Sequence, residues 1–182
     1  MIFKVVGLWN KILYQLRFGK RVSFKGIPTF VAHGQIYAPS GHVQTGRGFT
    51  LKQGVYIAAL NGGKVTIGDD VSINRNCILV CHDSISIADH CAIGPNTVFY
   101  DHDHNFGENG IEQGFKTAPI VIDKNCWIGA GVTVLRGTHI GEGSVIGAGT
   151  VVRGEIPPHS LVTSNREMKI VSIAQKGQSE NP

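Results

Sequence analysis

Charged side chains, aromatic side chains and paired cysteines are all scarce in this sequence of 182 residues. Charged residues make up 16% of the chain and aromatic residues 8%, a mixture that fits neither a helical bundle nor a disordered chain. The four cysteines form no Cys-x-x-Cys pair, which argues against thiol chemistry. The length suffices for one domain with a sizeable core.

Acidic residues are absent from the first part of the chain. The first of them is Asp69, and nine lysines and arginines precede it. A region with only positive charges favours an anionic partner, such as a membrane face, a phosphorylated substrate or a nucleic acid. A solvated basic surface without any partner is the plain alternative.

A long apolar run is also missing. Residues 1–18 carry apolar side chains at helical spacing, at Ile2, Val5, Val6, Trp9, Ile12, Leu13 and Leu16. Lys4 and Lys11 interrupt this segment, which is too short and too charged to span a membrane and lacks the cleavage site of a secretory signal. We predict an amphipathic helix within a basic segment, 1–25, that packs on its own body or on a neighbouring subunit. Peripheral membrane contact is the alternative.

Glycine, by contrast, is abundant, with 24 residues, and it accompanies a repeat with a period of six. Large apolar residues recur at Ile67, Ile73, Leu79, Ile87, Ile93, Phe99, Ile122, Ile128, Val134, Ile140, Ile146 and Val152, each with a small or β-branched residue two positions earlier. Positions two apart in a strand point to the same side, so each unit would send both residues inward. Three such faces form a triangular coil, and coils stack about 4.8 Å apart.

The repeat also assigns the cysteines. Cys77, Cys91 and Cys126 occupy the small inward position, whereas Cys81 falls outside the pattern. We therefore predict buried thiols that fill space in a reducing compartment, not a disulfide set or a metal site.

One long insertion, at about residues 101–119, breaks the repeat between Phe99 and Ile122. Such loops on a rigid solenoid are commonly functional. His102 and His104 lie two positions apart in it and would face the same way. Three interpretations stay open: a metal site with a third ligand such as His82 or His90, a general base with helpers, or a structural corner.

Two stretches resemble the hexapeptide-repeat acyltransferases, in their sugar O-acetyltransferase branch of galactoside, maltose, capsule and lipopolysaccharide enzymes. They are IGPNTVFYDHDHNF and APIVIDKNCWIGAGVTVLRGTHIGEGSVIGAGTVVRGEIPPHS. The resemblance implies an all-β fold, a left-handed parallel β-helix over residues 26–172, with a flexible tail at 173–182. It also implies a homotrimer with active sites between subunits.

The resemblance further implies a set of site residues. The general base would be His104, with His102 as the second choice. The acceptor side would hold Asn74. Apart from the resemblance, we expect Asp101 and Asp103 beside the acceptor as well, where one of them could orient the imidazole. Acetyl-CoA would lie along Trp127, Gly129, Ala130, Ala148, Arg153 and Lys169, with Trp127 on the outer face. No metal is expected.

The expected function is transfer of an acetyl group from acetyl-CoA to a sugar hydroxyl in cell-surface polysaccharide biosynthesis. The enzyme would be cytoplasmic, with the inner membrane surface as a further location, and its partner would be a sugar or glycan acceptor and not a nucleic acid. Rival expectations are N-acetylation of a nucleotide-linked amino sugar, a γ-carbonic-anhydrase-like metalloenzyme, and a non-catalytic scaffold.

Overall fold

A computed structural model describes residues 2–30 and 34–164. The chain visits three parallel sheets in turn and returns to the first one layer higher, so the strands enclose a three-sided prism. The third sheet holds six strands, which makes six complete coils and part of a seventh. This all-β parallel helix confirms the predicted fold.

The strands distribute over the sheets as follows. Sheet 1 contains β1 (Val22–Phe24), β4 (His42–Thr45), β7 (Lys64–Ile67), β10 (Ser84–Ile87), β15 (Ile120–Ile122), β18 (His139–Ile140) and β21 (Glu155–Ile156). Sheet 2 contains β2 (Thr29–Phe30), β5 (Thr50–Leu51), β8 (Ser72–Ile73), β11 (Ala92–Ile93), β16 (Trp127–Ile128), β19 (Val145–Ile146) and β22 (Leu161–Val162). Sheet 3 contains β3 (Gln35–Tyr37), β6 (Tyr56–Ala59), β9 (Ile78–Cys81), β12 (Val98–Tyr100), β17 (Thr133–Leu135) and β20 (Val151–Val152).

The core fills the inside of the prism. Every apolar position of the six-residue repeat is buried, and so are Cys77, Cys91 and Cys126, as predicted. Cys81 is buried as well, because β9 is long enough for the alternation of its side chains to carry this residue inward. All four thiols are free.

The ends of the prism differ in how far the structure describes them. The first strand, β1, begins at Val22, so the β-helix starts before the boundary expected at residue 26. Three expectations fall outside the described residues: the end of the β-helix at residue 172, the tail at 173–182, and Lys169.

The insertion between β12 and β15 is a β-hairpin of β13 (His102–Gly107) and β14 (Gly110–Thr117). It leaves the prism at the corner where sheet 3 turns into sheet 1, which we call the 3–1 edge. The corner where sheet 2 turns into sheet 3 is the 2–3 edge. Asn76 and Asn96 turn the chain there with φ of 57° and 58°, a left-handed conformation that asparagine tolerates better than most residues.

Sheet 3 differs from sheet 1 in what it shows to the outside. The outward side chains of sheet 3 include Ile78, Val80, Val98, Tyr100, Leu135 and Val151. Those of sheet 1 are mainly polar and include Gln44, Thr66, Ser84, Ser86 and Glu155. One side of the prism is therefore apolar.

The helix α1 (Ile2–Phe18) and a 3-10 turn (Gly19–Arg21) lie across the open end of the first coil. Lys11 Nζ donates hydrogen bonds to the carbonyls of Phe24 and Gly26, and the Tyr14 hydroxyl accepts one from the backbone N–H of Ile36. No helix among residues 2–30 and 34–164 is long and apolar enough to cross a membrane.

Candidate active site

The hairpin carries both histidines of the insertion away from the prism wall. In β13 and β14, His102 pairs with Thr117 and His104 pairs with Phe115. At its base lies an open cleft of about 480 Å³, lined by Tyr100, His102, Asp103, His104, Phe106 and Leu135. Tyr100 and Leu135 belong to the apolar face of sheet 3, so this cleft joins that face to the polar hairpin.

Asp101 anchors the hairpin to the neighbouring coil. Its side chain is fully buried and accepts hydrogen bonds from the backbone N–H groups of His82 and Asp83, at 2.7–3.0 Å. Its Oδ1 also lies 3.1 Å from Nδ1 of His102. The carboxylate therefore has no exposed surface, and its contact with Nδ1 can orient the imidazole of His102.

His102 is held on several sides. Its side chain is only 11% exposed, its ring stacks on the ring of His82, and the edge of Phe115 contacts both rings. Burial lowers the pKa of His82, and the nearby His102 and His104 lower it further. The stack therefore favours a neutral imidazole at His82.

His104 is in a different situation. It is exposed, and its ring meets only the ring of Phe115 among the aromatic contacts, at 4.8 Å between centroids. The neighbouring Asp103 forms an ion pair with Arg136 instead of contacting a histidine. The imidazole of His104 is thus more accessible in the cleft than the imidazole of His102.

Sequence reasoning missed Phe115 and Arg136 and considered His82 only as a metal ligand. Phe115 lies inside the insertion, where no repeat exists to place it. For Arg136 a signal was available, because β17 pairs with β12 so that Leu135 lies beside Tyr100. The residue after Leu135 must then lie close to the start of the hairpin.

Asn74 lies at the 2–3 edge. It lines an open pocket of about 520 Å³ together with Lys52, Arg75, Asn76, Pro95 and Asn96. Asn74 Oδ1 accepts a hydrogen bond from the backbone N–H of Arg75 at 2.9 Å. The lining is rich in amide donors and acceptors and carries two positive charges.

Most of the residues expected along the coenzyme continue the same edge. Trp127 is 59% exposed on the outer face, as predicted. Gly129 donates its N–H to Ile146 and accepts a hydrogen bond from the Thr97 hydroxyl, so both of its backbone polar groups are engaged. Ala130 and Ala148 follow at the corners of two successive coils, where Ala130 is partly and Ala148 fully accessible.

Arg153 lies elsewhere. It follows β20, which pairs with β17, and therefore lies at the 3–1 edge beyond Leu135. Its side chain is exposed. The expected coenzyme residues are thus divided between the two edges that flank sheet 3.

The same division separates the histidines from the tryptophan. The hairpin leaves the 3–1 edge, whereas Trp127 lies on sheet 2 beside the 2–3 edge. The width of sheet 3 lies between them, so a single chain does not bring the two halves of the expected site together. Among the described residues, no group of three or more His, Cys, Asp or Glu side chains could hold a metal ion.

Residues 119–154, in the coils that follow the hairpin, match the family of the bacterial transferase hexapeptide (six repeats). The coils after the hairpin therefore carry the hexapeptide repeat of bacterial transferases. The left-handed parallel β-helix is the fold of this family, in agreement with the prism described above.

Curated relatives share the central part of the chain. This chain is 47% identical over 105 residues to "Putative acetyltransferase SACOL2570" of Staphylococcus aureus (strain COL). The matched residues make up 57% of this chain and 53% of that protein. It is 42% identical over 116 residues to "Putative acetyltransferase C18B11.09c" of Schizosaccharomyces pombe, covering 62% and 55%. The chain spans about half the length of the curated relatives it matches.

Solved structures extend the likeness over more of the fold. The acetyltransferase VCA0836 of Vibrio cholerae O1 biovar eltor, complexed with acetyl coenzyme A, is 27% identical with a TM-score of 0.53, covering 81% of this chain and 73% of that one. AntD, an N-acyltransferase of Bacillus cereus in complex with dTDP and 3-hydroxybutyryl-CoA, shares the fold at 21% identity with a TM-score of 0.72, covering 87% and 86%. The polySia specific acetyltransferase NeuO shares it at 22% identity with a TM-score of 0.63, covering 79% and 72%.

Proposed function

We propose that this protein is an acetyl-CoA-dependent acetyltransferase that modifies a sugar hydroxyl, in the biosynthesis of a cell-surface polysaccharide. The observation that carries the proposal is the position of the hairpin and of Trp127 on the two edges that flank one apolar sheet. The names of the curated relatives and the acetyl coenzyme A bound to VCA0836 support the acetyl donor.

A trimer would complete the site. Three prisms with parallel axes that turn sheet 3 toward a common threefold axis would bury its apolar outward side chains. They would touch at the edges that flank this sheet, so the 3–1 edge of one chain would meet the 2–3 edge of the next. The cyclic symmetry makes all three contacts equivalent. Each site would then combine the hairpin of one chain with Trp127 of its neighbour.

The 2–3 edge would hold the acceptor and most of the coenzyme. At the 2–3 edge, the amide-rich pocket around Asn74 suits a polyhydroxylated sugar, because amides both donate and accept hydrogen bonds. Higher on the same edge, the small residues Ala130 and Ala148 leave room for the pantetheine arm, and Trp127 offers it an apolar surface. Arg153, at the opposite edge, would reach the coenzyme phosphates of the adjacent site.

The reaction needs one general base at each junction, the contact between the 3–1 edge of one chain and the 2–3 edge of the next. His104 would accept the proton of the acceptor hydroxyl while its oxygen attacks the thioester carbonyl, and the backbone N–H of Ala130 would stabilise the oxyanion. Collapse of the tetrahedral intermediate expels the coenzyme thiolate, which takes the proton from His104. No covalent enzyme intermediate is involved. His104 fits this role better than His102 because its ring is exposed, whereas Asp101 and His82 hold His102 in place.

The test uses the division of the site between chains. His104→Ala and Trp127→Ala are each assayed alone for release of free coenzyme A thiol, and then after co-expression with different tags. Each variant alone should be inactive. A random mixture should recover about a quarter of the activity, because that share of junctions combines two intact halves. No recovery would contradict the shared site. His102→Phe keeps a ring in the stack with His82 and removes the imidazole, so it serves as the control for the base and should retain more activity than His104→Ala.

The bond formed in the product decides between O- and N-acetylation. A sugar and its amino counterpart are offered together, and the acetylated product is analysed by mass spectrometry before and after mild alkaline treatment. An ester, which alkali removes, supports the proposal. An amide as the main product would replace it with N-acetylation.

A further inference from the structure

The outer face of α1 is apolar although it points to solvent. The most exposed of its large side chains are Val5, Leu8, Trp9, Ile12, Leu13 and Leu16. Leu16 is 79% exposed, Val5 65% and Trp9 63%. Their spacing of three and four residues places them on one stripe of the helix. We call this stripe the outer face of α1.

The inner face of the same helix is built differently. It comprises Gly7, Lys11, Tyr14 and Phe18, which contact the first coil. A Cβ at Gly7 would lie 2.0 Å from the Pro28 carbonyl oxygen, so the helix is pressed against the prism here. The helix is therefore fixed by polar anchors and one buried ring, and most of its large apolar side chains remain exposed.

The charges around the outer face have one sign. Arg17, Lys20, Arg21 and Lys25 are exposed at the end of the helix and just beyond it. No aspartate or glutamate precedes Asp69, so no acidic side chain from this part of the chain offsets them. An apolar stripe that contains a tryptophan and has a basic rim matches the two layers of an anionic lipid surface, acyl chains below phosphate groups.

We infer that the outer face of α1 docks onto an anionic membrane surface. The six apolar side chains enter the boundary between headgroups and acyl chains, and the basic rim contacts lipid phosphates. Apolar burial and charge attraction act together in such binding. A helix of this kind lies in the plane of the interface.

The position of the helix makes this docking compatible with the rest of the fold. Because α1 crosses the open end of the first coil, its outer face points along the prism axis and away from the three sides. In the proposed trimer all three helices lie at the same end and dock on one plane. The hairpin emerges after the fourth coil, so the candidate active site would stand about 15–20 Å above the membrane at the usual strand spacing.

The experiment measures co-sedimentation of the full-length chain with vesicles of phosphatidylcholine alone and of phosphatidylcholine with phosphatidylglycerol. Binding is expected only to the second composition, with a decrease at high salt. Leu16→Ser combined with Trp9→Ser should weaken binding at least about tenfold. The matched control is Leu161→Ser, which removes a leucine that is 71% exposed at the other end of the prism. It should bind like the wild type.

A second readout follows Trp9 directly. In a Trp127→Phe background Trp9 is the only tryptophan, and its fluorescence should shift to shorter wavelength on anionic vesicles. Equal binding to both vesicle types would overturn the role of the basic rim. Absence of binding would overturn the inference, and a change in oligomeric mass in the Leu16→Ser variant without vesicle binding would assign the face to a second copy instead. None of these outcomes depends on the acetyltransferase assay.

Discussion

The imidazole rings of His82 and His102 stack with their centroids 3.9 Å apart and 14° between their planes. One histidine comes from the prism wall and the other from the first residue of the hairpin. The stack, together with Asp101 beneath it, fixes the orientation in which the hairpin leaves the 3–1 edge. Its protonation should therefore affect the hairpin more than the rest of the fold.

Acid should weaken this contact. Burial and the neighbouring His102 lower the pKa of His82 in the folded protein, so the unfolded chain binds its proton more readily. The stability that depends on a neutral His82 is present above the unfolded pKa of about 6.5 and is lost as the pH falls through the folded pKa. The urea concentration at which half of the protein is unfolded should decrease as the pH is lowered from about 7.5 to 5. His82→Phe keeps an aromatic ring and should reduce this decrease; an unchanged decrease would contradict the assignment.

Asp101→Asn should destabilise the protein by about 3 kcal/mol, because a buried carboxylate that accepts several N–H groups is replaced by an amide that itself carries N–H groups. Asp103→Asn is the control. Asp103 is 40% exposed in an ion pair with Arg136, and its loss should cost less than about 1 kcal/mol. Urea unfolding of both variants measures the difference, and equal costs would show that the buried hydrogen bonds are not decisive.

Two glycines at equivalent corners should differ in their tolerance of alanine. A Cβ at Gly129 would lie 2.7 Å from the backbone nitrogen of Ala148, whereas one at Gly147 would first meet the Thr163 methyl group at 3.1 Å. A side chain can rotate away and a paired backbone cannot. Gly129→Ala should therefore cost about 1–3 kcal/mol and Gly147→Ala distinctly less. Thermal unfolding of the two variants compares them, and a reversed order would contradict the close stacking of these coils.

Thr97 and Thr150 provide another matched pair inside the prism. The Thr97 hydroxyl donates to the Gly129 carbonyl at 2.9 Å and accepts from the Val132 N–H at 3.3 Å, whereas the Thr150 hydroxyl has no hydrogen-bond partner among the described residues. Thr97→Val should cost about 1–3 kcal/mol. Thr150→Val should leave stability unchanged or raise it by about 1 kcal/mol. Chemical denaturation gives both values, and similar losses in the two variants would show that the Thr97 bonds contribute little.

The sequence was sufficient to predict the prism because one rule governs it. Each six-residue unit sends the same kinds of side chain inward, so the period alone predicted the buried positions from Ile67 to Val152. The contact of His82 with His102 follows from the same rule, since β9 pairs with β12 and places Ile78 beside Val98, one coil of twenty residues apart. The repeat was therefore sufficient to predict the contact between His82 and His102, although the sequence analysis did not include it.

The hairpin could not be predicted in the same way. Its strands have no counterpart in neighbouring coils. Their pairing depends on contacts such as that of His104 with Phe115, which no repeat predicts. The division of the expected coenzyme residues between two edges was also hidden, because Trp127 and Arg153 both follow the repeat in sequence. Only the order of the strands around the prism shows that they lie on different edges.

The hydrogen bonds of Lys11 and Tyr14 affect whether another chain can add to the first coil of the β-helix. β1, β2 and β3 end their sheets at the first coil, and an uncovered end of stacked parallel strands is a template on which another chain can add. Lys11 and Tyr14 engage backbone groups of this coil, and α1 packs against β1 and β2. The helix thus terminates a structure that could otherwise continue end to end, as a fibre does, and limits it to a particle of defined size.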